Sequence, residues 1–360
     1  MFIYITSKLR EYIFIILTAT IFFLLTFSKS LSQENVFIIN NVKVEGATDI
    51  NFTRDKYIDK AFLDSFKMLM TKILLSDDLD KLKNIKLKEV KTLINHFQVL
   101  DESYQKDKYV VSLKIFYNDK KVQKLLFKKN ISYSQPKNIT VVFFPVLFIN
   151  DEIKNFSENY FYKEWNNVDI KNETLNFITP IEYLDDISEI KKMKNKIEEL
   201  DINNFVNKYD TKNYAFALMS YNNQILNMHI KTNFDGIKVN RNFSYEIDNI
   251  KNEKKLFSIL SDLKIKISDI WKESNIINLL MPLSIKIKFN HTKLLHLDEL
   301  KNAFSKISII NNYKLEEFNI NHTFFKINYY GNPKKLRAEL LKFGYLLDDD
   351  KGYWEIKTDD

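Results

Sequence analysis

Apolar residues recur along this chain with two spacings, which predict an alternation of helices and strands. Between residues 53 and 75 they fall three and four positions apart, so we expect a helix there, capped by Asn51 or Thr53. Between residues 96 and 117 they alternate with polar residues, which is typical of two paired strands. Similar patterns predict the order β-α-α-β-β-α-β for residues 34–150.

The carboxy-terminal residues follow a related order. The predicted elements are a strand over 283–289, a helix over 297–307, strands over 313–320 and 323–330, a helix over 333–343 and a strand over 352–356. The segment Phe116–Leu126 also parallels Tyr330–Leu340, with Asn118 matching Asn332. Two ferredoxin-like copies would explain this match, and convergent strand–cap–helix chemistry explains it nearly as well.

The pattern in the middle of the chain predicts a less regular mixture of helices and strands. It comprises a strand over 174–179 ended by Pro180, helices over 186–200 and 202–209, a three-strand meander over 214–247 with an Asp235-Gly236 turn, and an amphipathic helix over 253–272. The expected fold class is therefore α+β, with two ferredoxin-like β-α-β-β-α-β units flanking a mixed α/β middle domain. We place the domains at residues 33–150, 151–281 and 282–360, after an amino-terminal segment of residues 1–32.

Residues 1–32 have the features of a signal peptide or a membrane anchor. Lys8 and Arg10 precede the apolar run Tyr12–Phe27, and Ser30 and Ser32 are small residues at the spacing that signal peptidase tolerates. Cleavage near Ser32 would release a soluble periplasmic protein. An uncleaved segment would anchor the chain in the inner membrane, with Lys8 and Arg10 on the cytoplasmic side. Both alternatives predict that the remainder is exported.

The composition excludes several kinds of site. The chain has no Cys, which excludes disulfides, zinc–thiolate centres and cysteine nucleophiles. It has 5 Gly and 5 His, too few for glycine-rich nucleotide loops or a histidine-rich metal site. An exported chain without Cys fits a bacterial periplasm better than a eukaryotic secretory route.

The charge is basic, but its make-up does not indicate nucleic-acid binding. Lys and Arg number 54 against 47 acidic residues, for a formal net charge of +7. Nearly all of these cations are Lys, which we attribute to an AT-rich genome. A nucleic-acid reader would favour Arg for bidentate contacts, so we expect no nucleic-acid partner.

No catalytic signature stands out. The nearest approach to a metal cluster is His291 and His296 with Asp298 and Glu299, and we interpret it as the start of a helix with acids near its positive end. The run Asp348–Asp350 lacks the ligand ladder of a calcium loop and is typical of a solvated turn. We therefore expect no catalytic residue, no cofactor, no metal and no small-molecule ligand.

Two surface features are candidates for partner contacts. Tyr160, Phe161, Tyr162 and Trp165 form a dense aromatic group that either faces a protein partner or covers the middle sheet. The lysines at positions 120, 121, 124, 128 and 129 form a face that either touches anionic lipid or is simply solvated.

Several segments together resemble a known family. They are the strand Val42–Val44 with its following helix, Val99–Tyr104 leading to Tyr109–Phe116, and Val141–Val146 before Trp165. Over residues 36–275 this arrangement resembles the uncharacterised proteobacterial proteins that carry domain of unknown function 2066, although Phe62 and Phe66 replace the usual small residues. More distantly, the layout is similar to the amino-terminal α/β domain of periplasmic TolB. The resemblance implies an envelope protein without known activity and identifies no functional residues.

Two functions follow as hypotheses. The first is a non-enzymatic periplasmic binding or assembly module that acts through protein–protein contacts, at exposed strand edges and at the aromatic group. The second is a metal-independent periplasmic hydrolase whose carboxylates meet only in the fold. A deep pocket lined by two or more acids with raised pKa would favour the second.

Overall fold

The computed structural model describes residues 35–50, 52–170, 174–192, 200–349 and 353–358. The predicted signal or anchor segment, residues 1–32, lies outside the described residues, as do Asn51, the second half of the helix predicted over 186–200, and Asp350.

Helices and strands alternate along the described chain. The helices are α1 (Arg54–Ile73), α2 (Leu87–Leu93), α3 (Asp119–Lys128), α4 (Tyr160–Lys163), α5 (Leu184–Lys192), α6 (Asn203–Val206), α7 (Glu253–Glu273), α8 (Leu294–Lys306) and α9 (Pro333–Leu341). The strands are β1 (Ile38–Ala47), β2 (Ile94–Gln105), β3 (Lys108–Tyr117), β4 (Tyr133–Ser134), β5 (Ile139–Ile149), β6 (Glu152–Lys154), β7 (Leu175–Ile178), β8 (Tyr214–Asn222), β9 (Ile225–Phe234), β10 (Ile237–Glu246), β11 (Ile276–Ile277), β12 (Leu283–Asn290), β13 (Ile310–Phe318), β14 (His322–Tyr329), β15 (Tyr345–Asp348) and β16 (Trp354–Thr358). A 3-10 turn, Ser76–Leu82, follows α1. The α+β class is confirmed.

The first sheet contains β1, β3 and β2, in that spatial order and antiparallel throughout. This is the order of the first three strands in a ferredoxin-like unit. The strand expected in fourth position, β5, pairs instead with β8 in the middle sheet. The prediction of a complete β-α-β-β-α-β unit within residues 33–150 is therefore wrong, because the last strand of that segment belongs to another layer.

The middle sheet has the order β10-β9-β8-β5-β6, with β7 also paired to β5. Its central strand β5 is buried on both faces. Val141 and Phe143 pack into the core beneath α7, whereas Val142 and Phe144 pack into a second core that contains Phe205. The predicted meander β8-β9-β10 is confirmed, and Asp235 and Gly236 both have positive φ in its second turn.

The carboxy-terminal sheet has the order β13-β14-β12-β16-β15. In a ferredoxin-like unit the strand after the second helix pairs directly with the first strand. Here β15 follows α9, but β16 lies between it and β12 and runs parallel to β12. This sheet therefore departs from the predicted topology by one inserted strand, and β15 was not predicted.

One hydrophobic core joins the first and last parts of the chain. Residues from the first sheet, such as Val42 and Leu113, belong to the same buried cluster as Phe304 and Phe325. The short strand pair β4–β11 and a hydrogen bond from Lys120 Nζ to the Ser305 carbonyl oxygen add polar links. Residues 36–360 accordingly form one compact unit.

Helix starts follow the predicted capping chemistry in part. The Asn118 side chain accepts a hydrogen bond from the Lys121 backbone N–H, and the Asn332 side chain accepts one from Lys335 in the same way. Thr53 occupies the N-cap position of α1, as one of the two predicted alternatives, but its side chain makes no capping hydrogen bond. In the described part of the chain, no helix is long and apolar enough to cross a membrane.

Candidate functional site

The structure places the predicted partner-facing aromatic group in the interior. Phe161 and Trp165 are fully buried, and the Trp165 ring stacks on Phe143 with centroids 3.4 Å apart. Tyr160 and Tyr162 are half-buried, and their hydroxyls donate to the carbonyl oxygens of Glu253 and Pro180. Phe161 and Trp165 cannot touch a partner in the folded chain, so the partner-facing prediction is wrong for them. The group covers the middle sheet instead.

The histidine and acid candidates stay apart from one another. His291 is buried, and its Nε2 lies 2.8 Å from the Thr323 hydroxyl. Burial lowers the pKa of His291, and the nearby His322 and His296 lower it further. Among the described residues, no group of three or more acids and histidines could hold a metal ion. The helix start expected here is confirmed, since α8 begins at Leu294. The expectation of acids at its positive end is wrong, because Asp298 and Glu299 lie beyond the first turn.

The exposed edge strand β2 is the first of three candidate sites. Within the described residues it pairs with β3 alone, so its other edge carries no strand. Phe97, Val99, Leu100 and Tyr104 on β2 are all exposed large hydrophobic residues. Such a strand presents both unpaired backbone groups and apolar side chains to a partner.

The other long edge strands carry cationic residues, which β2 lacks. β10 contains Lys238 and Arg241, and β13 contains Lys314 and Glu317. Neither Lys, Arg nor Pro occurs in β2. The charged residues of β2 are the two acids Asp101 and Glu102. Because lysine in particular and proline protect edges against pairing, β2 is less protected than β10 and β13. Its register shifts between Ile94 and His96, and again between Val99 and Asp101, so an added strand would be short.

A polar network holds β2 against the start of α1. The Arg54 guanidinium donates to both carboxylate oxygens of Glu102, at 2.6 and 2.9 Å, and the Tyr109 hydroxyl donates to the same carboxylate at 2.7 Å. The hydrogen bonds from Arg54 and, to a smaller extent, from Tyr109 lower the pKa of Glu102 to about 2. Burial and the bond to Glu102 raise the pKa of Tyr109. The side chain of Glu102, in the carboxy-terminal half of β2, therefore ties the exposed edge to α1 and β3.

Aromatic contacts fix the same strand on both sides of that network. The ring of Phe97 meets Phe62 of α1 edge-on, with centroids 5.2 Å apart. The ring of Tyr104 lies 4.9 Å from that of Tyr109. These residues are thus anchored on their inner side while their outer surface is exposed.

The second candidate is a cavity of about 260 Å³ between α1, the 3-10 turn and α7. Its lining includes Thr71, Ser76, Leu79, Ile265, Ser268 and Lys272. Beside it, the Asp269 carboxylate accepts hydrogen bonds from the Ser76 backbone N–H and hydroxyl and from Lys272 Nζ. Burial lowers the pKa of Lys272, although the charge of Asp269 opposes that shift. The buried Ser268 hydroxyl has no hydrogen-bond partner in the part of the chain that is described.

The third candidate is an open cleft of about 350 Å³ between α3 and the first strands of the carboxy-terminal sheet. Lys120, Gln123, Lys124 and Phe127 of α3 line one wall. Ile310 and Tyr330 belong to the opposite side. Three of the five lysines predicted to form one face, at positions 121, 128 and 129, are not among its lining residues.

The two cavities do not have the lining that the hydrolase hypothesis requires. Neither the cavity nor the cleft has an acidic residue among the described residues that line it. Burial raises the pKa of the carboxyl of Asp119 in α3, but Asp119 lines neither the cavity nor the cleft.

Two comparisons with known proteins identify no relative of this chain. No protein-family model matches the chain, and no curated protein sequence matches it significantly. The resemblance to the family with domain of unknown function 2066 therefore stays a prediction.

Sequence patterns anticipated exposed strand edges and the lysines of α3, but they located none of the three candidates, for different reasons. The absence of Lys, Arg and Pro from β2 was visible, but its edge position depends on which strands pair. The Asp269–Lys272 spacing was visible too, yet nothing local to α7 indicates that Ser76 meets it from 193 positions away. The cleft joins residues of α3 to residues near β13, which only the tertiary structure brings together.

Proposed function

We propose that this protein is a non-enzymatic binding module of the bacterial cell envelope that receives an extended segment of another envelope protein along β2. The observation that supports it best is the unpaired edge of β2, with four exposed large hydrophobic residues and no Lys, Arg or Pro. An added strand gains affinity from backbone hydrogen bonds and specificity from alternate side chains.

The rigidity of the edge supports a binding role. The bonds from Arg54 and Tyr109 to Glu102 hold the strand in place before any partner arrives. A preorganised edge loses less conformational freedom on binding, so more of the contact energy appears as affinity. The envelope location rests on the amino-terminal residues Lys8, Arg10 and Tyr12–Phe27 and on the absence of Cys.

Site-specific photocrosslinking in cells tests the contact. A photoreactive residue replaces Leu100 on β2, which is 48% exposed, and a control probe replaces Ile237 on β10, which is 46% exposed. We expect a discrete adduct with one envelope protein at the first site and none at the control. A second probe at Tyr104 should lose its adduct when Leu100→Lys places a charge on the edge.

Three outcomes would overturn the proposed contact. Equal adducts at Leu100 and Ile237 would indicate nonspecific capture. An adduct between two copies of this chain would replace the partner with self-association. A Tyr104 adduct that survives Leu100→Lys would show that strand addition is not involved. Cell fractionation with amino-terminal sequencing checks the location separately, since cytoplasmic protein that starts at Met1 would contradict export.

A hydrolase remains the second candidate because a serine, a carboxylate and a lysine meet beside a cavity. The Ser76 hydroxyl lies 2.6 Å from Asp269 Oδ2, and Lys272 Nζ lies 3.1 Å from Oδ1. The same groups also close a helix junction, since Lys272 Nζ donates to the Leu74 carbonyl oxygen at the end of α1. This second role explains the arrangement without catalysis.

A serine-directed fluorophosphonate probe separates these two roles. A structural junction predicts no labelling of the native protein. Labelling that disappears in Ser76→Ala and persists in Ser261→Ala, a serine on α7 bonded to the Phe257 carbonyl oxygen, would favour the hydrolase.

A further inference from the structure

The cleft beside α3 combines positive charge with an apolar floor. Lys120 and Lys124 lie one helical turn apart on the same wall, and no acidic side chain is among the described residues of the lining. The floor includes Leu279 and Ile310, both buried, and Phe127 stands half exposed at the side. Its volume of about 350 Å³ falls within the range of small-molecule sites.

Several of these lining groups are held in position by other contacts. Lys120 Nζ donates to the Ser305 carbonyl oxygen in the last turn of α8, which leaves two of its three N–H donors for a ligand. Gln123 donates from Nε2 to the Tyr133 hydroxyl at 3.0 Å. The cleft wall is therefore anchored to both the first and the last part of the chain.

Lys124 differs from Lys120 in having no such tether. No carboxylate of the described residues lies within ion-pair distance of Lys124, so its ammonium is available at the rim of the cleft. A charge-assisted hydrogen bond from such an ammonium is stronger than a bond between neutral groups.

We propose that this cleft binds a small amphiphile with one anionic oxygen head group, a carboxylate or a phosphate, and an apolar body. The head group accepts hydrogen bonds from Lys120 and Lys124, while the apolar body covers Phe127, Leu279 and Ile310. The site uses different elements from the β2 edge and does not depend on the function proposed for that edge.

A membrane surface is the competing explanation, and the lysines of α3 allow the two to be distinguished. Lys128 lies on the same helix one turn beyond Lys124 but does not line the cleft. Binding of a ligand in the cleft should depend on Lys124 and not on Lys128. An anionic bilayer attracts both lysines through the same screened field.

Calorimetric titration of the full chain with octanoate and with octyl phosphate tests the proposal. We expect saturable binding at one site, weakened about tenfold by Lys124→Gln and unchanged by the control Lys128→Gln, since a hydrogen bond to a charged group contributes about that factor. Phe127→Ala should weaken binding as well. Octanol, which lacks the anionic group, should bind more weakly than either acid.

Three outcomes would overturn the proposal. No saturable binding of either acid removes the site, and octanol binding as tightly as octanoate removes the role of the head group. Equal losses in Lys124→Gln and Lys128→Gln, together with capture on phosphatidylglycerol vesicles that falls equally in both variants, would assign the lysines to a membrane surface. Binding of only one acid would narrow the head group to a carboxylate or a phosphate within the same proposal.

Discussion

Asp269, near the carboxy-terminal end of α7, binds Ser76 at the start of the 3-10 turn, across 193 positions of sequence. The carboxylate receives the Ser76 hydroxyl at 2.6 Å and its backbone N–H at 3.1 Å. Lys272, one turn further along α7, binds the same carboxylate and the Leu74 carbonyl oxygen. Lys272 therefore binds the Leu74 carbonyl oxygen at the end of α1, and Asp269 binds the Ser76 backbone N–H at the start of the 3-10 turn. Both backbone groups lack a partner within their own helix.

Removing the Asp269 carboxylate should destabilise the protein strongly. The side chains of Lys272 and Asp269 are 8% and 14% exposed, so Asp269→Ala leaves a buried ammonium without its counter-charge. We expect the free energy of unfolding to fall by about 3 kcal/mol or more, measured by urea denaturation. The double variant Asp269→Leu with Lys272→Met should lose less free energy of unfolding than the single variant Asp269→Ala. A single variant with native stability would show that the ion pair is not buried in solution.

Removing the Ser268 hydroxyl should not lower the free energy of unfolding. Its buried hydroxyl lacks a hydrogen-bond partner among the described residues, and burying an unpaired hydroxyl costs about 1–3 kcal/mol. Ser268→Ala should leave the free energy of unfolding unchanged or raise it. The matched control is Ser65→Ala, because the buried Ser65 hydroxyl bonds both the Phe62 carbonyl oxygen and the Tyr117 hydroxyl. That variant should lose about 1 kcal/mol, and equal effects of the two would contradict this prediction.

Acid should weaken the attachment of β2 to α1. The pKa of Glu102 is lowered to about 2 in the folded protein by Arg54, whereas the unfolded chain has the ordinary value of 4.5. The unfolded chain therefore takes up a proton first, and the stabilising contribution present above pH 4.5 is lost as the pH falls from 4.5 toward 2. Urea denaturation of wild type and Glu102→Gln should give a stability difference that shrinks between pH 6 and pH 3. An exposed control, Asp80→Asn, should show no such convergence.

Trp165 should behave as a core residue. It is fully buried against Phe143, so Trp165→Ala should cost about 3–5 kcal/mol of unfolding free energy in urea denaturation. The neighbouring Tyr160→Phe removes one hydroxyl that bonds the Glu253 carbonyl oxygen and should cost about 1 kcal/mol. If the two substitutions cost the same, the aromatic group would not be packed as described.

Local patterns predicted most of the elements because their causes are local. The buried stripe of α1, with Ile58, Phe62 and Phe66, follows from helical spacing, and the Asn118 and Asn332 caps follow from side-chain reach. Asp235-Gly236 forms its turn because both positions tolerate positive φ. Each of these signals lies within a few residues of the structure that it specifies.

Pairing and burial could not be predicted in the same way. Residues 139–149 have the pattern of a buried strand wherever they pair, so nothing in β5 itself indicates that β8 is its neighbour. The four aromatic residues from Tyr160 to Trp165 likewise do not indicate which of them face inward. The candidate sites depend on such nonlocal relationships, which is why the expected partner surface was assigned to buried residues.

The core shared by the first and last parts of the chain has a consequence for synthesis. A ribosome completes the residues of α1 and the first sheet long before it reaches Phe304 and Phe325, which pack in the same cluster. Until then the early segment has apolar surface without its final cover, a condition that favours aggregation of nascent chains. The first sheet can therefore complete its core only when the carboxy-terminal residues are available to pack against it.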